Sequence, residues 1–367
     1  MQTQLSLRNY FGFGRPARLI LVGLVILALT VGGIVVGSQL LQQQRLPPPF
    51  GLAGNGLLAA NVNGEIVLME PDGSTAQPLV LPFEGVTGTS FSRDGTRIAA
   101  WATPDTGRAS QKSLIVANAD GSEAFEVDHA KLVGDPGFRI AWSPDDRRLA
   151  FSGSGDRLYV ADIDARTISE LGPDESIKFR KDPAWAPDGR LAYLCTTSGV
   201  PHICVISADF QVEQKLLTSA GTEYAFQEPS WSHDGRSIAY QVDDAIDPQP
   251  GGGIGWDVAT IDVATGNEKV LTRGLADHTI LPVWSPDDRH VLFLTAGGPG
   301  VVRSDGTGLR VLGQTSCASI EPSPDGALAT CPSGNEVVLY PIEGGGPPTV
   351  IDLGGPVEFV NWQRVAN

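Results

Sequence analysis

Of the five histidines in this chain, only His278, beside Asp277, falls on a segment leading into a repeated strand. One imidazole is too few for a multi-histidine metal site. His233 and His290 sit at or beside repeat turns, His129 is isolated, and His202 adjoins Cys204. A serine nucleophile fares no better. Ser152-Gly153-Ser154-Gly155 lacks the glycine spacing of a nucleophile elbow, which also needs a strand-to-helix turn. The segment from Val242 to Trp256 carries Asp243, Asp244 and Asp247 with two prolines and Gly251-Gly252-Gly253. Aspartates in loops can hold calcium, but the ligand spacing with its terminal Glu is missing. The four cysteines contain no Cys-x-x-Cys pair that would bind zinc. What remains is mixed charge on loops: Arg139, Arg180, Lys181, Asp182, Glu223, Tyr224, Gln227, Glu228, Asp277, His278, Glu321 and Glu358. Such a set could hold a peptide, a sugar or an ion. It points to binding without catalysis and implies no cofactor or resident metal.

Those loops are positioned by a sixfold repeat. Its copies are Phe91-Ser92-Arg93-Asp94-Gly95, Trp142-Ser143-Pro144-Asp145-Asp146, Trp185-Ala186-Pro187-Asp188-Gly189, Trp231-Ser232-His233-Asp234-Gly235, Trp284-Ser285-Pro286-Asp287-Asp288 and Pro322-Ser323-Pro324-Asp325-Gly326. The repeated Asp recurs at 94, 145, 188, 234, 287 and 325, in steps of 51, 43, 46, 53 and 38 residues. Proline presets the first central φ of a turn, and glycine accepts the exit position. Asp146 and Asp288 replace that glycine with a residue that tolerates the left-handed region. The six aspartates are therefore turn residues, and the tryptophans before them fill space between neighbouring sheets.

Each turn is followed by alternating apolar strands such as Arg148-Leu149-Ala150-Phe151, then by a third and a fourth strand. Four short strands every 40 to 50 residues or so describe a propeller blade. Residues 56–81 hold three strands of a blade without its first, and Val357 to Trp362 reads as the missing first strand. The expectation is an all-β, seven-bladed β-propeller closed by a one-plus-three strand clasp, leaving no open sheet edge.

These Trp-Ser-Pro-Asp-Gly units, each followed by an Ile-Ala-Phe-like strand, resemble the WD-like β-propeller repeat of the TolB type over residues 56–363. The resemblance implies the fold. It leaves function open, because the same repeat serves import proteins, peptidase propellers and bacterial envelope proteins. It departs from TolB proper, which carries an extra N-terminal domain, and from prolyl peptidases, which carry a hydrolase domain.

Residues Leu19 to Gly37 are uncharged and apolar, long enough for one membrane-spanning helix, with Arg8, Arg15 and Arg18 before them. The expected organisation is a cytoplasmic tail over 1–18, a transmembrane helix over 19–41, a Pro/Gln-rich tether over 42–55 and the propeller over 56–367. A single-pass cell-membrane protein with its propeller outside follows, and Gly33 to Gly37 has the spacing of a helix dimer contact. The four cysteines agree with an oxidising compartment. Cys195 and Cys204 flank one hairpin, and Cys317 and Cys331 face each other across another, so this local pairing alone joins neighbours. The chain carries 26 Lys and Arg against 42 Asp and Glu, a net charge of −16. The first fifty residues hold four Arg and no acid, leaving 22 bases against 42 acids, or −20, for the rest. That acidity excludes a nucleic-acid footprint. The expected partner is an envelope protein, peptide or glycan. An envelope sensor ectodomain, or a hydrolase or lyase with its site at the channel mouth, are the alternatives.

Overall fold

The computed structural model describes residues 46–103, 111–128, 133–134, 139–153, 155, 157–171, 177–197, 200–216, 229–243, 256–272 and 280–367. The chain divides into two units, Met1–Arg45 and Leu46–Asn367, and only the second is described. Among the described residues no helix is long and apolar enough to cross a membrane. The segment 19–37 lies outside them.

The second unit is built from seven antiparallel sheets. Blades 1 to 6 open on first strands Glu84–Phe91, Ile140–Trp142, Ile177–Trp185, Ser230–Trp231, Ile280–Trp284 and Glu321–Pro322. Blade 7 joins the two ends: its first strand is Val357–Val365, and Gly54–Val62, Glu65–Met69 and Gln77–Pro78 supply the other three. Leu58 faces Trp362 and Ala60 faces Val360 in that closing register. The seven-bladed ring and its one-plus-three clasp are as the repeat count requires. The outer strand of blade 7 is shorter than the sequence suggested, because only Gln77 and Pro78 pair with Glu65–Met69. Val80, which the sequence placed on that strand, is 79% exposed.

Alternation along each strand buries one row of side chains against each neighbouring blade. The core is consequently divided into apolar layers between adjacent sheets. One layer joins Trp101 and Leu114 of blade 1 to Trp142, Leu149 and Phe151 of blade 2. Another joins Leu194 and Ile203 of blade 3 to Trp231, Ile238 and Tyr240 of blade 4. Both expected disulfides are present, Cys195–Cys204 inside blade 3 and Cys317–Cys331 at blade 6.

The repeat turns hold themselves together. In five of the six the serine hydroxyl donates to the repeated aspartate at 2.5–2.7 Å. The same hydroxyl accepts the backbone N–H five residues on at 2.9 Å. In blade 3, where Ala186 replaces the serine, Asp188 accepts from Arg190 Nε at 2.8 Å instead. Each repeated aspartate thus accepts hydrogen bonds from its own turn.

Asp146 and Asp288 take the left-handed conformation, at φ 54° and 58°. They also reach across blade seams, which turn chemistry alone does not reveal. Asp146 accepts Arg93 N–H at 2.7 Å and Asp94 N–H at 2.9 Å from blade 1. Asp288 accepts His233 N–H at 2.6 Å and Asp234 N–H at 2.9 Å from blade 4.

Burial pushes the Asp146 carboxyl up to about 6, against the two backbone bonds and the Arg93 charge and with help from Asp94. Burial would also raise Asp94 and Asp145, but hydrogen bonds from serine hydroxyls and backbone N–H groups outweigh it and hold both low. The signs are therefore opposite. A carboxyl raised in the folded state binds its proton more tightly there, so Asp146 adds stability as pH falls from above 6 towards 4. Thermal melts at pH 7 and pH 4.5 should show wild type gaining on Asp146→Asn towards the lower pH. A pH-independent difference between the two would refute this.

A second set of seam contacts is confined to one side of the ring. The Trp142, Trp185 and Trp231 indoles each donate to a carbonyl of the preceding blade, Ser90, Ala141 and Ala184, at 3.0–3.1 Å. Arg97, Arg148 and Arg190 stack over those same rings at 5.4, 4.8 and 4.8 Å. Past blade 4 the pattern stops. Ser237, His290 and Leu328 stand at the arginine position, and Pro322 replaces one tryptophan. The indole N–H groups of Trp284 and Trp362 are buried without partners.

Candidate functional site

First strands from all seven blades converge on a cavity of about 400 Å³ along the ring axis. Its walls start at the repeat turns, with Arg93, His233, Pro286 and Pro324. They continue to the residue three before the strand-ending aromatic in blades 1, 2, 5 and 7: Gly88, Arg139, Leu281 and Phe359. At this level the backbone bulges. Gly88, Asp182 and Leu281 all have positive φ, and the pairing register shifts beside each of them. A bulge re-aims the neighbouring side chains. Here it lets different residues face the axis from otherwise repeated strands.

The segment 46–53 packs across the turn end of this cavity. The sequence marks that stretch only as part of a tether, yet it is packed in place. Phe50 lines the cavity, with the Arg93 guanidinium 4.4 Å from its ring centre and the His233 ring edge-on at 6.0 Å. Arg364 Nη2 donates to the Pro48 and Gly51 carbonyls, both at 2.8 Å. Ala53 N–H donates to Pro324 O at 2.9 Å, and the next residue, Gly54, already belongs to blade 7. The strap thus touches turns of blades 1, 4 and 6 and the first strand of blade 7. Proline at 47, 48 and 49 stiffens it and lowers the entropy lost on docking.

The loop residues singled out from sequence separate into groups. Arg139 and Glu321 line the cavity, half-buried. Arg180 does not sit on an open loop: it lies within Ile177–Trp185 and is 7% exposed. Its charge and a side-chain hydrogen bond bear on the Tyr193 hydroxyl, which donates to Glu213 at 2.6 Å. The cause is the length of that strand, nine residues, which draws its entry segment into the sheet. Lys181 and Asp182 lie half-buried on the same strand, and Glu358 is exposed on the closing strand. Glu223, Tyr224, Gln227, Glu228, Asp277 and His278, with most of the 242–256 loop, lie outside the described residues. Among the described residues no group of three His, Cys, Asp or Glu side chains could hold a metal ion.

Sequence reasoning missed Phe50, Arg93, His233 and Arg364 as cavity residues. The signal available was an isolated aromatic directly after three prolines, and basic residues inside or beside the repeat turns at 93, 233 and 364.

Seven antiparallel blades, six of four strands and one of five, around an axial cavity define a β-propeller, and the family comparison agrees. A family model described as the TolB beta propeller domain matches residues 58–311, well over half the chain. The chain belongs to that family. Among solved structures it is similar to TolB from Acinetobacter baumannii, at 19% identity and a TM-score of 0.52, covering 73% of this chain and 66% of that one. It is also similar to the tricorn protease (11% identity, TM-score 0.59, covering 84% of this chain and 35% of that one). An oligogalacturonate lyase in complex with manganese gives 12% identity and a TM-score of 0.57, covering 81% and 85%. At these identities the likeness shows the fold alone. The chain spans just under two thirds of the TolB structure's length. No curated protein matches.

Proposed function

We propose that this protein is a membrane-tethered, extracytoplasmic β-propeller that binds a protein, peptide or glycan segment at the loop end of its axial cavity, without catalysing a reaction. The observation that carries the reading is the cavity itself, lined from all seven blades and floored at the turn end by Phe50. A ligand then approaches from the opposite end, where the blades differ most in residue type. Membership of the TolB family supports a protein-binding scaffold role. Two disulfides fit an oxidising compartment. The apolar run from Leu19 to Gly37 would supply the anchor, and its small residues a route to dimers.

The test is site-specific photocrosslinking in living cells. Probes at Lys181 and Glu358 report on the loop end, and probes at Pro144 and Asp188 on the turn end. Discrete adducts from the first pair alone are expected, weakened when the 242–256 loop is shortened. Equal labelling at both ends would overturn the reading. Saturable heat stabilisation by Mn²⁺ would point to the catalytic class instead.

A further inference from the structure

The floor of the cavity is cationic in a protein that is otherwise strongly acidic. Arg93, Arg139 and Arg364 line the cavity as a whole, against the single lining carboxylate Glu321, while the whole chain is −16. Two of these guanidiniums lie at the turn end and are poorly compensated. Arg93 makes one side-chain hydrogen bond, Nε to Trp142 O at 3.4 Å, and otherwise stacks on Phe50. The nearby Asp146 carboxylate is already engaged by two backbone N–H groups. Arg364 spends Nη2 on two carbonyls, and its Nε is buried with no partner. The cavity lining also includes Trp284, 5% exposed, and Trp362, 8% exposed, whose indole N–H groups are buried without partners.

All of these groups are donors only. A buried donor without an acceptor is costly, and a buried cation without a counter-charge more so. Electrostatics agree with the geometry. Burial lowers the Arg93 pKa, opposed by Asp146 and Glu321. Burial and then the Arg93 charge bring Arg364 down to about 10, with Asp146 opposing. Two like charges on half-buried side chains, with Asp146 and Glu321 as the acids beside them, favour a further anion at this end.

We propose that the Phe50-floored end of the cavity is a carboxylate subsite, with Arg93 and Arg364 as its cationic groups and Glu321 as the charge that tempers its affinity. This rests on the cavity being the ligand channel, as in the reading above. The carboxylate can come from a free small dicarboxylate or from the C-terminus of a peptide reaching down the axis. Planar guanidiniums suit either, because both present two oxygens in one plane.

The experiment titrates the full-length protein with succinate, and with N-acetyl-tetraalanine as free acid and as amide. Binding is read by calorimetry and by tryptophan fluorescence, since Trp142, Trp231 and Trp284 border the cavity. Saturable binding is expected, weakened at least about tenfold in Arg93→Gln and in Arg364→Gln. Glu321→Gln leaves both guanidiniums in place and should tighten binding several-fold, which keeps the test decisive if an arginine variant folds poorly. A free acid that outbinds its amide assigns the peptide terminus, and succinate alone assigns a free anion; either supports the subsite. No saturable response to any probe, or a response unchanged in all three variants, would overturn it. Loop-end crosslinking would stand unaffected by that failure.

Discussion

Deleting residues 357–367 is expected to abolish cooperative unfolding. The strand Val357–Val365 pairs with Gly54–Val62, and without it blade 7 keeps three strands and the ring has an open seam. Val357, Val360 and Trp362 leave the layer they share with Leu58, Val337, Leu339 and Ile351. Gln363 also leaves, with its contacts to Leu57 N–H at 3.2 Å and to Gly95 O at 2.8 Å. Gly95 has positive φ, and any side chain on it would collide with the Arg364 carbonyl, so this seam is fitted to the missing strand. Burying one large apolar side chain contributes about 1.5–3 kcal/mol, and three of them already rival a typical folding stability of ~5–15 kcal/mol. Scanning calorimetry reads the outcome. An unchanged, sharp transition would refute the closure.

Trp185→Ala should cost about 3–5 kcal/mol, the usual range for truncating a buried aromatic, with ~1 kcal/mol more for its hydrogen bond. The ring is 1% exposed, its N–H donates to Ala141 O at 3.1 Å, and Arg148 stacks on it at 4.8 Å. Trp284→Ala should cost less by about 1–2 kcal/mol. Its ring is almost as buried, at 5%, but its N–H has no acceptor and no arginine covers it. Denaturant titration of the two variants measures the gap. Equal costs would mean that the indole bonds and arginine stacks add nothing beyond packing.

Short-range chemistry is what made this fold readable. A Ser-Pro-Asp-Gly turn is specified by four adjacent residues, so its copies could be counted and the split blade completed from Val357 to Trp362. Cys195 and Cys204 pair nine residues apart on one hairpin, and the pairing was legible for the same reason. Contacts across the ring were not. Asp146 announces a tolerated φ in sequence, while its bonds to Arg93 and Asp94 connect residues more than fifty positions away. Phe50 reads as tether because nothing near it in sequence reveals His233 or Arg93 as neighbours. Arg180 reads as loop because a bulged nine-residue strand looks irregular until its register with Leu191–Thr197 is known.

The path of Gly54–Val62 has a mechanical consequence. This strand lies between the closing strand on one side and Glu65–Met69 on the other, hydrogen-bonded to both. A force applied along it loads both rows of bonds in shear, all at once, instead of peeling them one after another. Ahead of it, the hydrogen bonds that hold the Phe50 strap to the blades are those of Arg364 and Ala53, far fewer than the two rows on the strand. A steady pull through Leu46 would therefore draw Phe50 out of the channel well before it ruptured the ring. Tension applied through Leu46 and access to the cavity floor are coupled by this geometry.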